Sequence, residues 1–203
     1  LGVFTYCLND DKSREFGSTK LLSFERTTMF DTFPTLQAAS FQLRKIEETD
    51  LDDLWEIYSN PLHFQYTPDT STKNKETLRK RISHFQRDFD KKKRLFLGLE
   101  FQGKLIGVLE VFDYKKRTAS VTIGYRLHHA FWNQGLASQA VSLLCRFLIQ
   151  EYPISEILAF VMPEHQASQR VLLKNGFTLS NQTSANWKGL GEVDLLLYTL
   201  KTA

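Results

Sequence analysis

A short segment with small side chains, Trp132-Asn133-Gln134-Gly135-Leu136-Ala137-Ser138, lies where a predicted strand gives way to a predicted helix. Free backbone N–H groups and the helix dipole attract an anion at such a junction. Gly135 and Ala137 leave room for a phosphate to approach the main chain, and Ser138 adds a hydroxyl donor. The segment therefore predicts a pyrophosphate site, although taken alone it fits an ordinary glycine-bearing helix start somewhat better.

The hydrophobic periodicity of the sequence changes around this segment, and these changes predict the neighbouring strands and helix. Residues 117–127 alternate between apolar and polar side chains, which predicts an antiparallel strand with one covered face. Residues 134–150 show helical spacing, and the continuous apolar run 157–161 predicts a strand buried on both faces. Strand, helix and buried strand make a crossover unit, so we expect the two strands to be parallel.

The remaining elements complete an α+β domain. Further strands are predicted at 42–46, 95–101, 104–112, 177–180 and 192–200, and further helices at about 51–58, 72–91 and 166–174. Gly176 follows the last of these helices at the position where a left-handed residue ends a helix. Together they predict a mixed central sheet of about seven strands, antiparallel first and parallel in the middle, with helices on both faces.

Composition argues against several partners. Of the 203 residues, 42% are hydrophobic, and Lys plus Arg exceed Asp plus Glu by only 26 − 23 = 3, so we expect neither nucleic acid nor a membrane as a partner. The basic run 91–94 suits the end of a helix. Cys7 and Cys145 have no metal-ligand spacing, so we expect no metal and assign Cys145 to the core. No apolar stretch reaches transmembrane length and no leader pattern opens the chain, so we expect a cytoplasmic protein.

The first forty residues differ from the rest. Residues 1–28 have no sustained periodicity, whereas regular patterns begin at Phe41. Met29 opens a stretch typical of the start of a bacterial enzyme, so we expect Met29 to be a natural start and residues 1–28 to be an upstream read-through or a genuine extension. We therefore predict an N-terminal extension, 1–40, followed by one domain, 41–203.

Several stretches together resemble one known family. They are Leu43-Arg44-Lys45-Ile46, Leu105-Ile106-Gly107, Ile123-Gly124-Tyr125, the 132–138 segment, and Ser168 through Asn175-Gly176-Phe177. In their order they resemble the GNAT superfamily of acyl-CoA N-acyltransferases, and within it the RimJ/RimL-like branch of ribosomal-protein N-terminal acetyltransferases. The resemblance covers roughly 41–203, and it favours the pyrophosphate interpretation of the 132–138 segment.

The resemblance implies acetyl-CoA as the cofactor and a place for it. In the family, the strand that ends at Tyr125-Arg126-Leu127 splays from its parallel neighbour, often at a bulge, and the pantetheine arm pairs with the exposed backbone. The pyrophosphate meets the amides of 134–138, and the thioester carbonyl meets a main-chain N–H near Leu127. The implied cofactor-binding residues are Tyr125, Arg126, Leu127, Asn133, Gln134, Gly135, Leu136, Ala137, Ser138, His165 and Ser168.

The resemblance also implies direct attack of an amine on the thioester, and it points to an acid. Many members carry a tyrosine on the last helix as the acid toward the thiolate, but that position is Leu172 here. The RimJ/RimL-like branch is similar at Ser168, so the resemblance implies Ser168 as the acid or as a hydrogen-bond donor to the sulfur. His165 replaces the usual asparagine three residues earlier and can still donate a hydrogen bond.

The base is less clearly indicated. The glutamate that some members carry in the late loop is missing around 185–187. Glu110 on its predicted strand is the catalytic candidate, and His128 or His129 beyond the splayed strand are alternatives.

The acceptor is expected between the first two helices and a loop at 181–191. Gly189 and Gly191 would give that loop mobility. Aromatic side chains could line an acceptor pocket: Trp55, Tyr66 and Trp187 are the predicted substrate-binding residues, with Tyr58 and Phe64 as further candidates.

Acceptor chemistry favours an α-amine. An α-amino group titrates near ~7.7–8.0 and a lysine near ~10.4, so an α-amine needs less help to become neutral. We therefore expect acetyl transfer to the N-terminus of a ribosomal or other protein, by a monomer or homodimer. A small amine such as a polyamine, amino acid or drug is the next acceptor class, and a non-catalytic acyl-CoA-binding module is the alternative to an enzyme.

Overall fold

The computed structural model describes residues 5–6, 29–187 and 191–202. Its strands are β1 (Thr5–Tyr6), β2 (Thr35–Gln37), β3 (Phe41–Lys45), β4 (Arg94–Phe101), β5 (Lys104–Lys115), β6 (Ser120–Leu127), β7 (Glu156–Val161), β8 (Thr178–Trp187) and β9 (Gly191–Lys201). Its α-helices are α1 (Leu51–Tyr58), α2 (Lys75–Asp90), α3 (Leu136–Glu151) and α4 (Gln166–Lys174), with short 3-10 turns at Glu48–Asp50, Pro61–Phe64 and His129–Phe131. Within these ranges, no helix combines the length and the apolar character that a membrane crossing needs.

The described strands form one sheet of nine strands in the order β1-β2-β3-β4-β5-β6-β7-β9-β8. Neighbours from β2 to β6 are antiparallel, β6 and β7 are parallel, and β9 is antiparallel to both β7 and β8. The predicted mixed α+β architecture is confirmed. The predicted strands correspond to β3 through β9, and β1 and β2 extend the sheet from residues before Phe41.

Helices cover both faces of the sheet, as expected. On one face α1 and α2 bury a stripe of apolar side chains against β4 and β5: Leu54, Ile57, Leu78, Ile82 and Phe85. On the other face α3 and α4 bury Ala140, Val141, Leu144, Leu148 and Leu172. These positions follow the helical spacing in the sequence, because residues three and four apart share one helix face. The two cores are separate, so side chains on the two faces of this part of the sheet contact different sets of residues.

The last helix ends as its glycine predicts. Gly176 has φ +81°, and its N–H donates to the Leu173 carbonyl at 3.1 Å. The Phe177 N–H donates to the Leu172 carbonyl at 3.1 Å, which completes a Schellman motif. This local signal from the sequence is confirmed.

Two local predictions were wrong. The predicted single covered face of β6 is wrong near the start of the strand. Ser120 and Thr122 are buried there, as Val121 is, so both faces are covered. The predicted loop at 181–191 is mostly strand: β8 continues to Trp187 and β9 begins at Gly191, since the two strands pair along a long hairpin. Gly189 lies outside the described residues.

Residues 29–40 pack against the domain. Met29, Phe30 and Leu36 are buried in the larger core, and β2 pairs with β3. The division at residue 41 and the start at Met29 stay predictions, but part of the segment before residue 41 contributes to the core and the sheet.

Candidate active site

The parallel strands β6 and β7 separate soon after they meet. Their pairing joins Ser120–Thr122 to Glu156–Leu158 and then stops, although both strands continue. The predicted splay is present. The irregularity in the β5–β6 pairing lies at Phe112/Lys115, so the splay itself carries no bulge between β5 and β6.

The splay leaves backbone groups of β6 without a neighbouring strand. The His128 N–H donates to the Ile106 carbonyl at 2.8 Å, which makes this a hydrogen-bonded pair. Because such pairs alternate along an antiparallel ladder, the N–H and C=O groups of Tyr125 and Leu127 point away from β5 and toward the gap. The indole of Trp132 donates to the Leu127 carbonyl at 2.9 Å. Among the described residues no strand pairs with β6 on this side beyond Thr122, so the main-chain N–H of Leu127 and the main-chain N–H and C=O of Tyr125 face the gap.

A cleft with a volume of about 620 Å³ opens at this gap. Its walls are the end of β6, the segment 62–67, the segment 131–138 and the start of α4. The residues assigned to the cofactor from the sequence that line it are Tyr125, Arg126, Leu127, Asn133, Gly135, Leu136, Ala137, Ser138, His165 and Ser168. Gln134 is not among the lining residues; its side-chain amide donates to the Ala130 carbonyl at 2.9 Å.

The turn before α3 presents main-chain donors to the cleft. Asn133 and Gly135 both have left-handed backbones, with φ of 60° and 77°. Gly135 is the N-cap residue, and a Cβ there would project into open space with Gln139 Nε2 as its nearest neighbour at 3.5 Å. The Gln139 N–H donates to the Gly135 carbonyl at 3.0 Å, and the N–H groups of 136–138 precede this first helical bond. They are therefore free to bind an anion, and the helix dipole adds positive potential.

Asn175 fixes this turn from the neighbouring helix. Its side-chain amide donates to Ser138 Oγ at 3.1 Å, to the Ser138 carbonyl at 3.2 Å and to the Val171 carbonyl at 2.8 Å. The asparagine thus connects the end of α4 to the first turn of α3. Sequence reasoning assigned Asn175 only to a helix end, since no local pattern indicates a partner so far away in the chain.

Two hydroxyl groups meet on the wall formed by β6 and α4. Tyr125 Oη lies 2.7 Å from Ser168 Oγ and also donates to the Ser168 carbonyl at 3.2 Å. Ser168 is 8% exposed. Burial raises the pKa of Tyr125, against the opposite effect of its hydrogen bond with Ser168, so the tyrosine stays protonated. The pair can therefore donate a hydrogen bond, or a proton, to an atom in the cleft.

An aromatic stack bridges the cleft near this pair. The rings of Tyr66 and His165 are 4.4 Å apart between centroids and 20° from parallel. His165 is the N-cap residue of α4, and burial lowers its pKa, so the ring is neutral near pH 7. Tyr66 is thus one predicted substrate-binding residue that lines the cleft. Trp55 packs against the core beneath α1, and Trp187 at the end of β8 does not line the cleft.

A cluster of histidines joins the segment 62–67 to the end of β6. His63 Nδ1 donates to the Ile57 carbonyl at 2.7 Å, and its Nε2 accepts the His129 N–H at 3.0 Å. Burial lowers the pKa of His63, and His128 and His129 lower it further, so the ring is held neutral. Both nitrogens of His63 are occupied, which makes it a structural residue. Its role was missed because its partners lie far away in the sequence.

The candidate bases stand outside the lining of the cleft. His128 Nδ1 accepts the Ala130 N–H at 3.2 Å, and neither His128 nor His129 lines the cleft. The Glu110 carboxylate lies 3.5 Å from Arg94 and against Gly124, where a Cβ would be 2.7 Å from Glu110 Oε1. Burial raises the pKa of Glu110, and the nearby arginines act in the opposite direction. Its catalytic role stays a prediction.

The sequence and the fold match known proteins. Residues 41–178 match the sequence profile of a family described as "Acetyltransferase (GNAT) domain". An uncharacterized N-acetyltransferase of Bacillus subtilis (strain 168), YoaA, is 27% identical over 150 residues, which cover 71% of this chain and 83% of the relative.

Two solved structures share the fold. The microcin C7 self-immunity acetyltransferase MccE, solved with acetyl-CoA and AMP, superposes with a TM-score of 0.73 at 19% identity, covering 81% of this chain and 94% of that one. The ribosomal L7/L12 α-N-protein acetyltransferase RimL, solved with coenzyme A, superposes with a TM-score of 0.71 at 21% identity, covering 81% and 95%.

Proposed function

The chain belongs to the acetyltransferase (GNAT) family, and from that premise we propose that it moves an acetyl group from acetyl-CoA to the α-amine of a protein N-terminus. The observation that carries this proposal is the cleft at the β6–β7 splay. There a free strand edge, an anion-binding turn and a pair of hydroxyls face one another.

The residues present fit acetyl-CoA. The N–H groups of 136–138 suit its pyrophosphate, and a side chain at Gly135 would occupy the same space. The outward N–H and C=O groups of Tyr125 and the N–H of Leu127 suit the amides and the thioester carbonyl of a pantetheine arm. Arg170 and Lys174 line the same cleft on α4 and add positive charge. When bound, acetyl-CoA supplies an acetyl group activated as a thioester.

The chain's own groups then account for the transfer. The acceptor amine forms a bond to the acetyl carbon as the bond from that carbon to sulfur breaks. The Leu127 N–H donates to the oxygen that gains negative charge. Ser168 gives a proton to the leaving sulfur, the Tyr125 hydroxyl, 2.7 Å away, replenishes it, and Tyr125 regains a proton from solvent water. The proton lost by the amine passes to water, and Glu110 is the predicted final acceptor.

The polar groups of the cleft favour an α-amine over a lysine. Glu164 is the one carboxylate among the described lining residues, and it is exposed rather than held against the splay. A lysine of ordinary pKa near ~10.4 would need a well-placed base, whereas an α-amine near ~7.7–8.0 is partly neutral already. Arg126 also lines the cleft, and a nearby cation lowers the pKa of an ammonium group further.

A panel of acceptors tests this proposal. Purified protein would be incubated with acetyl-CoA and a peptide with a free N-terminus, the same peptide with a blocked N-terminus and an internal lysine, or spermidine. We expect acetylation of the free N-terminus, located by mass spectrometry together with release of the thiol. Acetylation confined to lysine or spermidine would assign another acceptor class. Binding of acetyl-CoA without transfer to any amine would indicate a non-catalytic binding module.

A further inference from the structure

Arg126 brings a positive charge to the side of the cleft opposite the paired hydroxyls. It is paired with Val108 across the ladder, so its side chain lies on the face of the sheet that carries α1 and α2. Tyr125, the preceding residue, points to the other face and reaches Ser168. Tyr125 and Arg126, consecutive residues of β6, therefore lie on two sides of the same cleft. The side chain of Arg126 is half-buried, and the residue lines the cleft.

The guanidinium is held in place by neutral groups. Its Nε donates to the His63 carbonyl at 2.9 Å, and its Nη2 donates to Thr67 Oγ1 at 3.2 Å. Its central carbon lies 4.0 Å from the ring centre of Phe64 and 5.3 Å from that of Tyr58, which are cation–π distances. Four contacts thus fix its orientation without using an acidic side chain.

Among the described residues no carboxylate lies within ion-pair distance of Arg126, although burial raises the pKa of the nearby Glu110 carboxyl and the charge of Arg126 acts to lower it. Two other arginines show the contrast. Arg44 is bonded to both Asp50 and Glu100. Arg81 lies 5.2 Å from the same Tyr58 ring as Arg126, but it pairs with Asp69 at 3.0 Å. Among the described residues Nη1 of Arg126 also makes no hydrogen bond. A fixed, half-buried cation with free donors suits an anionic group of a ligand.

We propose that Arg126 selects the acceptor: it favours peptide N-termini that carry an acidic side chain next to the reactive amine and disfavours polycationic amines. This inference rests on the proposed function. A carboxylate on the second residue can accept hydrogen bonds from the free guanidinium donors, whereas a second cation would be repelled by the same charge. The polyamine class of acceptor is therefore selected against by a residue built into the splayed strand.

Three matched peptides test the selection, with Glu, Gln or Arg as the second residue and no lysine. We expect kcat/KM of the wild-type protein to be about tenfold higher for the Glu peptide than for its Gln counterpart, the size expected of one half-buried charge pair, and lowest for the Arg peptide. In the Arg126→Gln variant, the ratio of kcat/KM for the Glu peptide to kcat/KM for the Gln peptide should fall to near one. Arg126→Lys keeps the charge but loses the planar arrangement of donors, so its ratio should lie between those of the wild type and Arg126→Gln.

Arg81→Gln is the control, because Arg81 packs on the same ring but is already neutralised. Its ratio should equal that of the wild type. If Arg126→Gln does not fold, the ratio is judged from Arg126→Lys and from the wild type in rising KCl, where screening should reduce it.

The outcomes separate the two proposals. Three results would overturn selection by Arg126 and leave the proposed function standing. They are equal transfer to all three peptides, a ratio that persists in Arg126→Gln, and a ratio that is insensitive to KCl. No transfer to any of the peptides would overturn the proposed function and this inference together.

Discussion

The two sides of the cleft, which we propose bind acetyl-CoA and the acceptor, are built from different parts of the chain. We call the end of β6, the segment 132–138 and the first turns of α3 and α4 the cofactor wall, and the segment 62–67 with the side chain of Arg126 the acceptor wall. The cofactor wall presents main-chain groups, set by a left-handed glycine and a strand edge. The acceptor wall presents side chains that are held by contacts between distant segments.

This difference explains why most of the cofactor wall could be predicted from the sequence, whereas Tyr66 is the one residue of the three predicted to bind substrate that lines the cleft. A main-chain site depends on local conformation, which glycine and helix position control. A side-chain site depends on which residues the tertiary fold brings together. Changes on the cofactor wall should therefore affect binding of acetyl-CoA for any acceptor, and changes on the acceptor wall should affect the choice of acceptor or the stability of the fold.

The largest effect is expected at Gly135. Gly135→Glu places a negative side chain in the space proposed for the pyrophosphate and strains a backbone with φ of 77°. We expect the Kd for acetyl-CoA, measured by calorimetry, to rise at least about 100-fold, roughly 2.7 kcal/mol. Gly103→Glu is the matched control, because Gly103 also has φ of 77° but lies in the β4–β5 turn with nothing within 4 Å of its Cβ position. Similar losses in both variants would attribute the effect to backbone strain.

Ser168 tests the catalytic part of the cofactor wall. Ser168→Ala removes the hydroxyl proposed to protonate the leaving sulfur, and we expect kcat to fall about 100-fold, the lower range for acid catalysis. The Kd for acetyl-CoA should change much less than in Gly135→Glu. Tyr125→Phe keeps the serine but removes its partner at 2.7 Å, so its kcat should fall less. An unchanged kcat in Ser168→Ala would exclude this residue as the acid.

Asn175 tests whether the cofactor wall depends on a tertiary contact. Asn175→Ala removes two hydrogen bonds that connect α4 to the start of α3 and a third within α4, and it leaves part-buried acceptors with fewer partners. We expect the free energy of unfolding, measured with urea, to fall by about 1–3 kcal/mol. Asn175→Asp is the informative comparison, since it retains the size of the side chain but cannot donate. Stability equal to the wild type in both variants would show that this contact does not stabilise the turn.

His63 tests the acceptor wall through pH, and the expected effect is the smallest. The folded protein lowers the pKa of His63, so below the unfolded value of about 6.5 the unfolded chain binds a proton that the folded chain resists. The free energy of unfolding should therefore decrease as the pH falls below ~6.5, by at most about 1.4 kcal/mol per pH unit from this group. His63→Gln should flatten that decrease, and the exposed His84→Gln should not. Parallel curves for all three proteins would contradict this role.

Much of the fold followed from local patterns. The spacing of Leu144 and Leu148, the alternation in β6 and the glycine at 176 each predicted an element that the structure contains. The failures came where a distant neighbour overrides the local pattern. Thr122 is buried like its neighbour Val121, so the alternation did not reveal that both faces of β6 are covered there, and β8 is a strand because it pairs with β9 across its whole length.

The sequence by itself determined the family through the order of its motifs, and that resemblance favoured a pyrophosphate site at the 132–138 segment, where a glycine sets main-chain donors within a few residues. It also indicated Ser168 through the resemblance. Only the tertiary structure decided that Ser168 meets Tyr125, that Asn175 fixes Ser138, and that Arg126 lines the cleft with no carboxylate of the described residues within ion-pair distance. The physical reason is distance along the chain, because the partners of these side chains are tens of residues away. Their pairing exists only in the folded sheet, where β6 and β7 diverge.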